Sequence, residues 1–342
     1  MGVNLKDIIP KKNISLEDLR GRSLAIDAYN ALYQFLAIIR QPTGEPLTDR
    51  SGRITSHLSG LLYRTSNLVE IGIKPVYVFD GKPPSLKSIE VERRKAIKQQ
   101  AVIKYEEALR KGDLEEAKKY AQMTSKLEDY MVEDAKTLLN LLGIPWVQAP
   151  SEGEAQAAYL AMRGDVWATA SQDYDSLLFG APKLVRNLTI SGRRKLPGKN
   201  VYVEINPEII DLNQVLAELK ISREQLIDIG ILIGTDFNPD GVKGIGPKTA
   251  LKLVRECGSI EKIPTLPKEA FPEKPERIRE IFLKPEVTDD YKLEWKTPNI
   301  EGVVKFLCGE RDFSEDRVRK AVEKIRSGFS KLEAKGTLEK WF

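Results

Sequence analysis

Three short apolar runs, each leading into an aspartate, constrain this chain more than any other feature. They are Ser23-Leu-Ala-Ile-Asp27, Lys74-Pro-Val-Tyr-Val-Phe-Asp80 and Val166-Trp-Ala-Thr-Ala170, the last reaching Asp173 across a short polar spacer. Apolar runs of this length read as strands buried on both faces, the usual state in a parallel sheet. Helical patterns between them, such as Ile54 to Glu70, supply crossovers for βαβ units. The expected fold class is therefore α/β. Its strands would deliver Asp27, Asp80 and Asp173 to one edge, where open sheets place their ligands. Capping explains one such aspartate; three strain that account.

The stretch from Pro150 to Phe179 adds a second focus of charge. Glu152 and Glu154 open an apolar-periodic helix, and Asp173 and Asp175 follow the third run. Two like charges ~4 Å apart repel by about 4 kcal/mol at an effective dielectric near 20. Gathering such acids therefore requires protons or divalent cations. Hard oxygen donors suit Mg²⁺ or Mn²⁺, not zinc. A plainer reading stands beside this one: Ser151-x-x-Glu154 spells a capping box, and Asp after a strand is an ordinary turn residue.

Other chemistries are poorly supplied. Cys257 and Cys308 are too few for a disulfide framework or a zinc site, and His57 is the only histidine. No Ser/His or Cys/His set is available, and a lone His57 reads as structural. No run approaches the ~18 apolar residues of a membrane span. Neither a signal peptide nor a myristoylation pattern opens the chain, since Lys6 stands where Ser or Thr is required. A cytoplasmic, reduced setting without membrane contact is expected. Net charge is only +4, but basic residues crowd Lys82 to Gln100 and Arg317 to Lys340 while carboxylates cluster elsewhere. That segregation suits a polyanion held near divalent metals.

After the turn Gly81-Lys-Pro-Pro84, charged helical tracts run from Ser85 to about Arg110 and from Leu114 to Leu142. They read either as a solvated hairpin or as a basic arch over the acids, with Lys87 and Arg94 seven residues apart on one face. Lys183 to Leu188 reads as a strand, and Ser191 to Lys199 as a basic loop in a hairpin connection. Leu226 to Gly234 is an apolar helix running into Thr235-Asp236, and a further helix opens at Pro247. Before it, Gly244 and Gly246 let the backbone approach a phosphate. Gly244-Ile-Gly-Pro-Lys-Thr-Ala250 matches helix-hairpin-helix elements that hold a DNA backbone without reading bases. Four prolines from Pro264 to Pro275 mark a loop. Leu338, Trp341 and Phe342 fall at i, i+3, i+4 on the tail, for docking in a partner's apolar pocket or packing back on their own domain.

The chain resembles the flap endonucleases, structure-specific 5′ nucleases, from Met1-Gly2 to Phe342. The resemblance is carried by Ala25-Ile-Asp-Ala28, Tyr33-Gln-Phe-Leu36, Gly72-Ile-Lys-Pro-Val-Tyr-Val-Phe-Asp-Gly-Lys-Pro-Pro84, Ala149-Pro-Ser-Glu-Gly-Glu-Ala155, Asp173-Tyr-Asp175, Gly244-Ile-Gly-Pro-Lys248 and the tail. An ending without a basic extension resembles the archaeal branch. The resemblance implies a mostly parallel, twisted sheet flanked by helices, with a helical arch insertion (82–135) and a helix–two-turn–helix element (225–257). It implies a nuclease domain over 1–326 and a clamp-binding tail over 327–342.

By the same resemblance Asp27, Asp80, Glu152, Glu154, Asp173, Asp175 and Asp236 surround two Mg²⁺ ions, for which Mn²⁺ substitutes, and Lys87 and Arg94 touch the scissile phosphate. DNA contacts fall to Gly2, Tyr33, Arg40, Arg64, Arg193, Arg194, Gly244, Gly246, Lys248 and Thr249, with K⁺ at the last element. Thr55, Arg311 and Arg317 grip a one-nucleotide 3′ flap. The implied partners are branched DNA with a 5′ flap and, through Leu338, Trp341 and Phe342, the sliding clamp (proliferating cell nuclear antigen). The enzyme itself is expected to be a monomer, acting in Okazaki fragment maturation and base excision repair as an endonuclease and 5′-3′ exonuclease. Three positions depart from the family: Gly153 replaces a frequent Ala, which should only loosen the helix start; Gln172 removes one charge; Lys335 replaces the usual Gln of the clamp box. Two rival classes remain beside it. A two-metal phosphatase for small phosphoesters would need neither arch nor hairpin, and a non-catalytic DNA scaffold would not need all seven acids.

Overall fold

A computed structural model describes residues 2–41, 43–190, 192–195, 202–266, 271 and 273–338. Its centre is a seven-stranded sheet in the order β1-β9-β6-β5-β2-β3-β4. The strands are β1 (Lys12–Asn13), β2 (Ser23–Asp27), β3 (Lys74–Phe79), β4 (Trp146–Gln148), β5 (Ala168–Ala170), β6 (Lys183–Arg186) and β9 (Glu208–Asp211). From β6 to β4 all pairings are parallel; β9 and β1 add an antiparallel edge. The three aspartate-ending runs are the adjacent strands β5, β2 and β3, so the expected convergence is present. The third strand begins at Ala168, two residues later than its apolar pattern suggests.

Burial on both faces follows from the sequence alternation. Leu24, Ile26, Tyr77 and Phe79 enter one core, which α1 (Ala28–Ile38), α2 (Ser56–Ile71), α5 (Asp129–Leu142) and α13 (Glu315–Leu338) cover. Ala25, Val76 and Val78 enter the opposite core with Ala157, Leu160 and Ala161 of α6 (Gly153–Arg163). A third core gathers α7 (Asp175–Leu178), α8 (Leu212–Leu219), α9 (Arg223–Ile233), α10 (Pro247–Cys257) and α11 (Pro275–Leu283). The α9 helix is apolar on nearly every side and is buried accordingly. A short α12 (Ile300–Val304) precedes α13.

The arch is two helices, α3 (Ser88–Lys111) and α4 (Leu114–Met123), packed through the small buried residues Ala101, Ala108, Ala117 and Ala121. The tract expected from Leu114 to Leu142 is not continuous: it breaks over residues 124–128, and α5 turns into the sheet core because Met131, Ala135, Leu138 and Leu142 form an apolar stripe. Four residues of the basic stretch expected as a loop from Ser191 to Lys199 are strand: Gly192–Lys195 is β7, paired antiparallel with β8 (Tyr202–Ile205) in a separate ribbon, and the rest of that stretch lies outside the described residues. The domain boundary expected at residue 326 falls inside α13, where Phe329 and Leu332 still pack on the core.

Candidate active site

The seven acids come from five places in the chain and meet at the carboxyl edge of the sheet. Asp27 ends β2 and caps α1, its Oδ1 accepting from the Asn30 amide N–H at 2.9 Å. Asp80 follows β3 and accepts from the Gly153 N–H at 2.6 Å. Glu152 caps α6 in position but makes no side-chain capping bond, and Glu154 instead accepts from Ser171 Oγ at 2.7 Å. The capping box spelled by Ser151 and Glu154 therefore does not form. Asp173 Oδ2 accepts from Asn30 Nδ2 at 3.2 Å, and Asp175 Oδ1 from the Val3 N–H at 2.7 Å. Asp236, in the turn after α9, accepts twice from Arg94 Nη2, at 2.7 and 2.8 Å.

Burial and mutual repulsion raise five of these groups. Burial raises Asp27 well above the usual carboxylate range, and the charges of Asp80 and Asp173 add to it. Glu154 is raised for the same reason, by burial and then by Asp175, Asp27 and Asp173. Asp175 is pushed up to about 7 by burial, Asp236 and Asp173. Burial also raises Asp80 and Glu152, but nearby Lys87 opposes it. Carboxylates that repel one another where water is partly excluded call for positive charge.

Cations of the arch supply some of it. Lys87 Nζ lies 2.5 Å from Glu152 Oε2 and 3.2 Å from Asp236 Oδ2. Burial works to lower Lys87, and the two acids outweigh it, so the ammonium is held more firmly than usual. Arg94 spans Asp236 and Glu90, whose Oε1 accepts from Arg94 Nε at 2.7 Å. Among the described residues no three Asp, Glu, His or Cys side chains stand as a finished metal cage. The donor set nevertheless fits a hard divalent cation: it is all oxygen, its members are half-buried or buried, and two side-chain cations already sit among them.

Gly153 does more than loosen a helix start. A Cβ there would lie 2.6 Å from Asp80 Oδ1, so the missing side chain is what admits that carboxylate to the α6 N-terminus. Gly2 is similarly close, a Cβ there falling 2.5 Å from Asp175 Oδ2.

The remaining expected contacts are dispersed around this centre. Tyr33 on α1 is partly exposed beneath Lys98 of the arch, whose ammonium lies 4.7 Å from the ring centroid. Arg40 is bonded to the Leu36 and Gly44 carbonyls and to Ser125 Oγ, tying α1 to the end of the arch. Thr55 is buried at the start of α2, and Arg64 is half-buried. Arg311 is held by Asp134 at 2.9 and 3.1 Å, while Arg317 is exposed. Gly244, Gly246, Lys248 and Thr249 are exposed around the start of α10, with open space at both glycines. Arg193 and Arg194 belong to β7 by backbone, but their side chains lie outside the described residues, as does that of Leu338. Trp341 and Phe342 lie outside the described residues altogether.

Sequence reasoning missed Glu90, Lys98, Asn30 and Ser171. The first two were visible: with Lys87 and Arg94 they repeat at i, i+3, i+7 and i+11, one face of a helix. Asn30 and Ser171 carry no such signal, because only the folded chain places them beside the acids.

Comparison with known proteins agrees with this architecture. Residues 1–101 match the XPG N-terminal domain and residues 143–236 the XPG I-region. Flap endonuclease 1 of Staphylothermus marinus is 59% identical over 349 residues, covering 100% of both chains. That of Hyperthermus butylicus is 61% identical over 333 residues, covering 96% of this chain and 95% of its own. Among solved structures, flap endonuclease-1 from Methanococcus jannaschii superposes with a TM-score of 0.77 at 49% identity, covering 96% of this chain and 99% of that one. With identity this high along the whole length, the chain belongs to the flap endonuclease family.

Proposed function

We propose that this protein is a structure-specific DNA endonuclease with 5′-3′ exonuclease activity, hydrolysing a phosphodiester near the base of a 5′ flap to leave a 5′-phosphate and a 3′-hydroxyl. One observation carries the reading: Lys87 and Arg94 of the arch pair with Glu152 and Asp236, acids that lie within a cluster of mutually repelling carboxylates. Two Mg²⁺ ions, or Mn²⁺ in their place, would be held by Asp27, Asp80, Glu152, Glu154, Asp173, Asp175 and Asp236. Bound there, such ions supply an activated water and neutralise charge on the phosphate and the leaving oxygen. No protein nucleophile is needed, in keeping with the lack of a Ser/His or Cys/His set.

The chain's own cations do the rest. Lys87 and Arg94 exchange their carboxylate partners for the scissile phosphate and place positive charge where negative charge grows. The arch over 82–135 admits a free 5′ strand, and Tyr33 offers a face for the nucleotide beside the cut. Exposed Gly244, Gly246, Lys248 and Thr249, within the helix-hairpin-helix over 225–257, hold a duplex backbone, with K⁺ at the carbonyls. Gly2, Arg40, Arg64, Arg193 and Arg194 add contacts, and Thr55, Arg311 and Arg317 bind a 3′ flap. Specificity then comes from a bent junction rather than from base sequence. The nuclease domain, which continues along α13 past residue 326, works as a monomer. The end of the chain docks on the sliding clamp through Leu338, Trp341 and Phe342, in Okazaki fragment maturation and base excision repair. No described helix is long and apolar enough to cross a membrane.

The test is a fluorescent double-flap DNA incubated with the protein and Mg²⁺, with and without EDTA. Cleavage at the flap base that EDTA abolishes supports the reading; cleavage that survives chelation overturns it.

A further inference from the structure

We infer that Asn30 is a positioning residue of the metal centre, fixing the direction in which Asp173 presents its oxygens relative to Asp27. The inference rests on the metal reading given above. Asp27 ends β2 and Asp173 follows β5, so nothing in the local chain sets one against the other. Asn30 meets both. Its backbone N–H donates to Asp27 Oδ1 at 2.9 Å, and its side-chain Nδ2 donates to Asp173 Oδ2 at 3.2 Å.

That amide is itself braced from further out. Gln34, one turn on along α1, donates Nε2–H to Asn30 Oδ1 at 2.5 Å. Thr189, buried beyond the end of β6, donates its hydroxyl to Gln34 Oε1 at 2.6 Å. Asp173 only accepts, so Asn30 turns its NH₂ to the acid and its Oδ1 to Gln34, which in turn presents NH₂ to Asn30 and Oε1 to Thr189. The hydroxyl completes a chain in which every amide group is paired, from the acid through Asn30 and Gln34 to Thr189.

This kind of support differs from that given to Glu152 and Asp236. Those acids are held by Lys87 and Arg94, cations that compete with an incoming ion for the same charge. A neutral amide engages one oxygen of Asp173 and leaves the carboxylate's charge available. Hydrogen bonds of this sort to metal ligands typically govern affinity by 10–100-fold.

The side chain and backbone of Asn30 can be separated. Asn30→Ala keeps the N–H bond to Asp27 and deletes the arm to Asp173 together with the acceptor for Gln34. Mn²⁺ binding is measured by calorimetry without DNA, beside the melting temperature of the metal-free protein. Asn30→Ala should weaken Mn²⁺ binding by about tenfold or more while the metal-free melting temperature stays within a few degrees of the parent. Thr189→Val, which cuts the far end of the relay at nearly constant volume, should weaken it in the same direction but less. Parental Mn²⁺ affinity in Asn30→Ala overturns the inference. Should that variant not fold, parental affinity in Thr189→Val overturns it equally. If the parent protein itself binds no Mn²⁺, the metal reading falls, and the relay with it.

Discussion

Lys87 and Glu152 stand 65 positions apart in the chain and meet at 2.5 Å, with Asp236 closing the other side of the ammonium at 3.2 Å. An arch cation is thus lodged among the acids proposed to bind metal. Lys87→Ala should have two opposed effects. Without DNA, Mn²⁺ affinity should rise severalfold, because a competing positive charge is gone. Single-turnover cleavage of flap DNA should fall by about 10²–10³-fold, the usual loss when an electrostatic stabiliser is removed. Calorimetry and quenched-flow cleavage read the two separately; an unchanged cleavage rate would remove Lys87 from the chemistry.

Asp173 lies against Asn30, and its charge adds to the repulsion felt by Asp27, Glu154 and Asp175. Asp173→Ala should abolish Mg²⁺-dependent cleavage yet leave flap-DNA affinity within about threefold, since phosphate contacts made elsewhere dominate binding. Gel-shift and cleavage assays on one substrate decide the matter. Retained turnover would take Asp173 out of the site.

His57 is fully buried, and neither ring nitrogen has a hydrogen-bond partner among the described residues. Burial pushes it down to about 4, with Arg311 reinforcing that shift and Asp134 opposing it. Its folded value lies below the ordinary 6.5, so the unfolded chain takes up the proton first. The stabilising contribution is complete above pH 6.5 and is lost as pH falls through 4. The slope approaches about 1.4 kcal/mol per pH unit in that window. His57→Leu should therefore flatten the acid limb of the melting-temperature profile. Superimposable limbs would contradict this account.

The third core contains one ion pair that holds three elements. Asp228 on α9 accepts from Arg279 on α11 at 2.6 and 2.9 Å, and from the Ile260 N–H at 3.2 Å. Asp228→Ala would leave Arg279 without that partner in a largely buried position. A loss of about 3–5 kcal/mol is expected, measured by urea unfolding. A loss below ~1 kcal/mol would mean that Glu261, which also contacts Arg279, suffices alone.

Much of the site was legible because strand endings are local. An apolar run of five or six residues stops where the sheet stops, and the residue after it lies at the edge. Asp27, Asp80 and Asp173 could thus be placed before any coordinates. The arch cations were legible for a similar reason, since helical spacing puts Lys87 and Arg94 on one face. The break over residues 124–128 was not, because residues on both sides are compatible with helix. Only the packing of α5 on the sheet sets it apart from α4. The capping box failed in register: α6 starts at Gly153, so Glu152 holds the N-cap position that the box gives to Ser151, and Glu154 turns to Ser171.

The sequence by itself determined which residue types were available and on which strand or helix end each would fall, because hydrophobic periodicity and turn chemistry act over a few neighbours. Tertiary structure alone decided who faces whom. That Lys87 answers Glu152, that Gly153 leaves room for Asp80 and that Thr189 meets Gln34 behind Asn30 all depend on contacts across 65 to 155 positions of chain, where burial removes water and makes each unpaired charge or amide costly.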